Sequence, residues 1–344
     1  MGPNPRGALR RNPFHRYAVP LPQPAVGGGP SNRLLPLWGR WRGAPEGEIA
    51  LRWKAPAIGV LIVLLVASAS HAAERCDRPL ADEDAAARNA ASLTTLAWAP
   101  FGRPETGWAI YVPKIADELH TDCGPATPGF AHALARWRRR HGLGASGLFD
   151  AATFEAMKTR WQEDRPFVAL REAGVCPAAP ELTALEAAAP EESDGGKIIL
   201  LRPAALAALR RMTAAARADV PEAAADPERL MLFSGFRDPA DDAARCAAQG
   251  NCNGLVRAQC SSHRTGLAMD LFLGAAPGFD VDSAADANRL WQSETPTYRW
   301  LVKNARRYGF VNYVFEPWHW EWVGRERSLP RRDMEMPVQR GDRP

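Results

Sequence analysis

No C-x-x-C pair occurs in the 344 residues, so the six cysteines do not build a zinc ribbon. A large excess of charge of one sign is also lacking: 43 Lys+Arg against 39 Asp+Glu leave a formal net charge of +4. No folded segment interleaves basic residues with aromatics, which argues against nucleic acid as a partner. The strands and helices readable in the second half lack a regular βαβ alternation, which argues against a parallel sheet. What is present is globular: a 46% hydrophobic and 24% charged composition lies far from that of disorder, and the length suits two domains.

The small positive charge is local. Residues 1–72 contain nine of the basic side chains and only two acidic ones, so the remainder carries a balance of −3. The same stretch ends in the uncharged apolar run Ala57–Ala67 and the small residues around Ser70-His71-Ala72. A transmembrane helix needs about 20 apolar residues, whereas a secretory signal needs about 7–15 before an A-x-A-like site. Residues 1–72 are therefore expected to be a basic leader and signal peptide, cut near Ala72 or Ala73, which places the protein in the periplasm or otherwise outside the cytoplasm. Only an uncut segment would tie it to a membrane.

All six cysteines (Cys76, Cys123, Cys176, Cys246, Cys252 and Cys260) follow the expected cut, as disulfides in an oxidising compartment require. Three lie at or before the start of a segment rich in Ala, Pro and Glu, and three after it. If all pair, an odd number of bridges joins the two halves. That segment, residues 177–196, reads as a linker between a helical domain, 73–176, and a second domain, 197–330; residues 331–344 read as a disordered tail.

In the first half, Phe130, Leu134 and Trp137 share one helix face, and Gly142 can end that helix. Asp150 is placed to cap a second helix carrying Phe154, Met157 and Trp161. The run Arg138–Arg140 is expected to be a solvated face. The aromatic, the basic run, His141-Gly142-Leu143 and Gly147-Leu148-Phe149-Asp150 through Thr153 resemble the small helical peptidoglycan-binding-like domains, although Ser146 stands where an Asp is common.

The second half mixes strand candidates (198–201, 231–233, 267–273, 310–315 and 318–323) with helices over 203–217 and 298–308. This predicts an α+β fold with a mostly antiparallel sheet and flanking helices, preceded by the small helical domain. Two dense patterns carry chemistry. In Ser261-Ser262-His263-Arg264-Thr265-Gly266-Leu267-Ala268-Met269-Asp270, the alternation of a strand sends Asp270 and Ala268 to one face and Met269 to the other. Gly266 can break the strand and let His263 swing to the Asp270 side. In Glu316-Pro317-Trp318-His319-Trp320-Glu321-Trp322, three indoles share a core face while His319 and Glu321 share the opposite one. Two imidazoles and a carboxylate are a catalytic zinc set, and a separate carboxylate is what a general base requires.

These blocks, with Ser234-Gly235-Phe236-Arg237 ahead of them, resemble the VanY-type zinc D-alanyl-D-alanine carboxypeptidases, whose fold is of the hedgehog/DD-peptidase kind. The resemblance spans roughly residues 197–324. It implies Zn2+ held by His263, Asp270 and His319, Glu316 as catalytic base, and Arg237 as a catalytic and substrate-binding group. It also implies Ser261 as a minor substrate contact, and peptidoglycan stem peptides as the substrate. Asp238-Pro239 and the Cys246–Cys260 insertion depart from the family pattern. No residue separates removal of terminal D-Ala from L,D-carboxypeptidase or crosslink-endopeptidase activity. A non-catalytic wall-binding protein is the reading from a different class, and the retention of Glu316 beside three intact ligands argues against it.

Overall fold

Each of the two long helices of the first half starts on a side chain that caps it. The computed structural model describes residues 76–77, 82–165, 167–168, 172–173, 175–176, 178–249 and 261–324. The signal segment and the tail fall outside the described residues. Helix α1 (Glu83–Ser92) is followed by a short antiparallel pair, β1 (Ala97–Trp98) and β2 (Glu105–Thr106), and by α2 (Val112–Leu119). Helix α3 (Pro128–Arg140) begins where Thr127 accepts from the Phe130 amide. Helix α4 (Ala151–Glu163) begins where Asp150 accepts from the Thr153 amide. Phe130, Leu134, Trp137, Phe154, Met157 and Trp161 fill one core, as their spacing predicts.

Arg138 departs from the expected solvated face. It is buried, donates to the carbonyls of Leu143 and Leu148 and to Thr153, and pairs with Asp150 at 2.8 Å. A long side chain on the seam between two helices can satisfy several orphan carbonyls at once; Arg139 and Arg140 are exposed as expected.

Residues 178–196, which read as linker, are folded. Strand β3 (Glu186–Ala187) pairs antiparallel with β4 (Leu200–Leu201), and Ala188 joins the core of the second half. Helix α5 (Pro203–Asp219) then packs its Leu206, Leu209 and Met212 against the main sheet, and the short α6 (Pro221–Ala225) follows.

The sheet has four antiparallel strands: β5 (Leu232–Ser234), β6 (Ala268–Leu271), β7 (Phe310–Asn312) and β8 (His319–Trp322), in the order β5-β6-β8-β7. Helix α7 (Pro239–Gln249) follows β5, while α8 (Asp286–Glu294) and α9 (Pro296–Asn304) separate β6 from β7. The architecture is α+β with an antiparallel sheet. Met269, Leu271, Trp320 and Trp322 face the core beneath the sheet, leaving the alternate residues of β6 and β8 to the other face. Among the described residues no helix is long and apolar enough to cross a membrane.

One bridge joins Cys76 to Cys123, and Cys176 and Cys246 are also disulfide-bonded. With Cys76 and Cys123 joined to each other, the partner of Cys176 lies in the second half.

Candidate metal centre and its surroundings

Register builds the site. Asp270 on β6 stands opposite Ser234 on β5 and opposite His319 on β8, so one row across three strands brings these side chains to the same face. His263 arrives from outside the sheet, on the 3₁₀ turn Ser262–Thr265. That turn is closed by Gly266 at φ 67°, the left-handed geometry that swings His263 over Asp270.

Three atoms converge. His263 Nε2 lies 3.2 Å from His319 Nδ1 and 3.3 Å from Asp270 Oδ1, and His319 Nδ1 lies 2.9 Å from the same oxygen. Tetrahedral zinc with bonds of about 2.0–2.1 Å would space its ligand atoms about 3.3 Å apart. The buried set of His263, Asp270 and His319 therefore fits a metal ion.

The remaining polar atoms of these three side chains are held. His263 Nδ1 donates to the Gly235 carbonyl at 2.7 Å, leaving the Nε2 lone pair directed at the site. Asp270 Oδ2 accepts from Arg237 Nη2 at 3.1 Å. His319 Nε2 faces Glu321 Oε1 at 3.1 Å and the Ser262 hydroxyl at 3.2 Å. Burial alone would raise the Asp270 carboxyl, yet the two imidazoles hold it well below the usual carboxylate range. Burial lowers His263, aided by Arg237. Burial would lower His319 too, but its hydrogen bonds to Asp270 and Glu321 push it up to about 9.

Glu316 stands apart from this trio. Its Oε2 lies 3.9 Å from His319 Nδ1 at the end of the β7–β8 turn, and burial pushes its carboxyl up to about 7. A carboxyl poised there exchanges a proton readily near neutral pH.

Arg237 stands at the site, but its side chain is committed to neighbours: Nε and Nη2 donate to Ser234, and Nη2 also to Asp270. Ser261 caps the His263 turn by accepting from the His263 amide at 3.2 Å. The serine whose hydroxyl reaches His319 is Ser262. Sequence reasoning did not single out Ser262, or Gly235 as the carbonyl that accepts from His263. Strand alternation had already put Glu321 beside His319, the signal that makes it findable.

Residues 198–325 match the family model VanY, described as D-alanyl-D-alanine carboxypeptidase. Over this segment the VanY resemblance holds. Arg237, His263, Asp270, Glu316, His319 and Glu321 all lie inside the VanY-like segment. No curated protein matches the chain. Among solved structures, the one described as "Structure of the LdcB LD-carboxypeptidase reveals the molecular basis of peptidoglycan recognition" is 24% identical, with a TM-score of 0.27. The match covers 37% of this chain and 61% of that one.

Proposed function

We propose that the protein is an exported, zinc-dependent carboxypeptidase that hydrolyses the terminal D-Ala-D-Ala bond of peptidoglycan stem peptides. The observation that carries this reading is the convergence of His263, Asp270 and His319 with a separate buried carboxylate, Glu316, 3.9 Å from the His319 Nδ1 atom. The family match over residues 198–325 supports a peptidoglycan-derived substrate, and the cystines suit an oxidising compartment. In this reading residues 73–176 form the helical domain, 177–196 the connection and 197–330 the peptidase domain.

A zinc ion held by His263, Asp270 and His319 would supply Lewis-acid chemistry, lowering the pKa of a water from about 15.7 to about 7 and polarising the scissile carbonyl. Glu316 is placed to take a proton from the attacking water on a carboxylate oxygen. The water oxygen bonds to the carbonyl carbon, the C–N bond breaks, and Glu316 gives the proton to the departing amine nitrogen. Arg237 Nη1, 4.0 Å from Asp242, is the end of the guanidinium left to meet the substrate's terminal carboxylate. The Asp270 contact of the same guanidinium links substrate binding to the ligand set.

The test incubates residues 73–344 with defined tetra- and pentapeptide muropeptides, reads the products by mass and measures bound zinc. Loss of one terminal D-Ala from the pentapeptide is expected, with Glu316→Ala keeping zinc and losing turnover, and His319→Ala losing both. Cleavage of only the tetrapeptide or of crosslinks would replace the specificity. Wild-type turnover in Glu316→Ala would remove the base.

A further inference from the structure

The helical half reaches the metal centre. Arg165, just beyond the end of α4, sends its guanidinium into the other half of the chain, where Nη2 and Nε lie 2.5 and 3.1 Å from Glu321 Oε1. The two side chains are 7% and 5% exposed, which excludes a surface ion pair of negligible worth. Arg165 is also fixed on its other sides: Nη1 donates to Gln162 Oε1 at 2.6 Å, and Cζ sits 4.3 Å from the Tyr313 ring centroid. Tyr313 in turn packs edge-on to the His319 ring, 6.0 Å between centroids.

The same Glu321 oxygen faces His319 Nε2. Glu321 Oε1, gripped by the Arg165 guanidinium, is placed to accept the His319 Nε2 proton, and this leaves the Nδ1 lone pair to face His263 and Asp270. Partners of this kind set the tautomer and ring orientation of a metal-binding histidine.

We propose that Arg165 is a positioning residue of the metal centre: acting through Glu321, it fixes the ring of His319, so that the helical half completes the site of the peptidase half. The inference rests on the proposed metallopeptidase reading. It gives the helical half a role at the reaction centre, beyond any contact that half makes with the cell wall.

The experiment uses the full chain from residue 73. Zinc affinity is measured by chelator competition, the ligand field by the absorption spectrum of the cobalt-substituted protein, and kcat and KM on the pentapeptide. Arg165→Met, which keeps the stack on Tyr313, is expected to weaken zinc binding about 10- to 100-fold and alter the cobalt spectrum. At saturating zinc it should lower kcat while leaving KM near the wild-type value. Since Arg165 acts through Glu321, the double variant Arg165→Met/Glu321→Gln should bind zinc no more weakly than Glu321→Gln alone. Arg306→Met, which breaks the exposed Arg306–Asp164 pair elsewhere between the halves, should leave zinc binding unchanged. If Arg165→Met does not fold, Arg165→Lys and the double variant carry the same comparison. A folded Arg165→Met or Arg165→Lys with wild-type zinc affinity and cobalt spectrum overturns the inference, as do additive losses in the double variant. If the wild-type protein itself neither binds zinc nor cleaves stem peptides, the metallopeptidase reading fails first and takes this inference with it.

Discussion

The Gly235 carbonyl oxygen and His263 Nδ1 are 2.7 Å apart, joining the end of β5 to the turn that carries His263. Gly235 is fixed by space. A Cβ there would sit 2.6 Å from Ile199 Cγ2 and 2.8 Å from the Leu200 carbonyl oxygen, and the latter is backbone that accepts from the Phe236 amide. Gly235→Ala must therefore move its own peptide and carry the carbonyl away from His263. Zinc affinity is expected to fall about 10- to 100-fold, with a loss of about 1–3 kcal/mol in stability from overpacking. Chelator competition and urea unfolding of the same variant check both; unchanged zinc binding would show that this carbonyl does not orient the ligand.

Asp150 ties helix stability to acid. Burial would raise its carboxyl, but bonds from the Thr153 hydroxyl and amide and from Arg138 hold it below the usual value. A depressed folded pKa means stability that is present above about 3.9, the unfolded value, and lost as pH falls through the lower folded value. Asp150→Asn keeps a capping oxygen without the charge, so it should flatten this acid dependence by losing, at pH 7, the part of the stability that the charge supplies. Asp150→Ala should cost about 1 kcal/mol at pH 7 through the lost cap. Thermal unfolding of both variants between pH 2.5 and pH 7 separates cap from charge.

Much of the site was legible because its information is local. His263, Gly266 and Asp270 lie within eight residues, and the period of a strand and the freedom of one glycine suffice to bring them together. Glu316 and His319 are likewise three residues apart, and the indoles of Trp320 and Trp322 fall on the core face as alternation requires. What escaped depends on distant packing. Arg138 looks like any member of a basic run until a second helix covers it. Residues 178–196 have linker composition, yet two residues of β3 find a partner in β4 and Ala188 finds a core. Arg165 and Glu321 are 156 residues apart, and no periodicity links them.

The bridge between Cys76 and Cys123 closes a loop across α1, the β1–β2 pair and α2, with a sequence separation of 47. Restricting an unfolded loop of that length is worth about 4 kcal/mol in the chain-entropy account. Replacing both cysteines with serine should lower the midpoint of thermal unfolding by about 10 °C, and reductant, which also opens the bridges of Cys176 and Cys246, should lower that of the wild-type protein at least as far. A shift of less than a degree or two would mean that the unfolded chain is already compact in this region.

Arg289 on α8 links the helical half to the turn that carries Glu316. It is fully buried and pairs at 3.1 Å with Glu105 of β2, whose other oxygen accepts from the Tyr111 hydroxyl at 2.6 Å. Arg289 Nε donates to the Phe315 carbonyl at 2.8 Å, and the guanidinium lies 4.1 Å from the Phe315 ring centroid. Phe315 directly precedes Glu316, so this arginine holds the backbone that aims the carboxylate. Arg289→Met strands Glu105 as a buried, unpaired anion and should cost about 3–5 kcal/mol. Glu105→Gln/Arg289→Met removes both charges and should recover much of that loss. It does not restore the donor to the Phe315 carbonyl, so kcat should stay low while zinc affinity, set by other contacts, remains near wild type. Urea unfolding reports the first effect and steady-state kinetics with metal analysis the second. A double variant that recovers stability and also full kcat would show that the Phe315 carbonyl needs no brace to keep Glu316 in place.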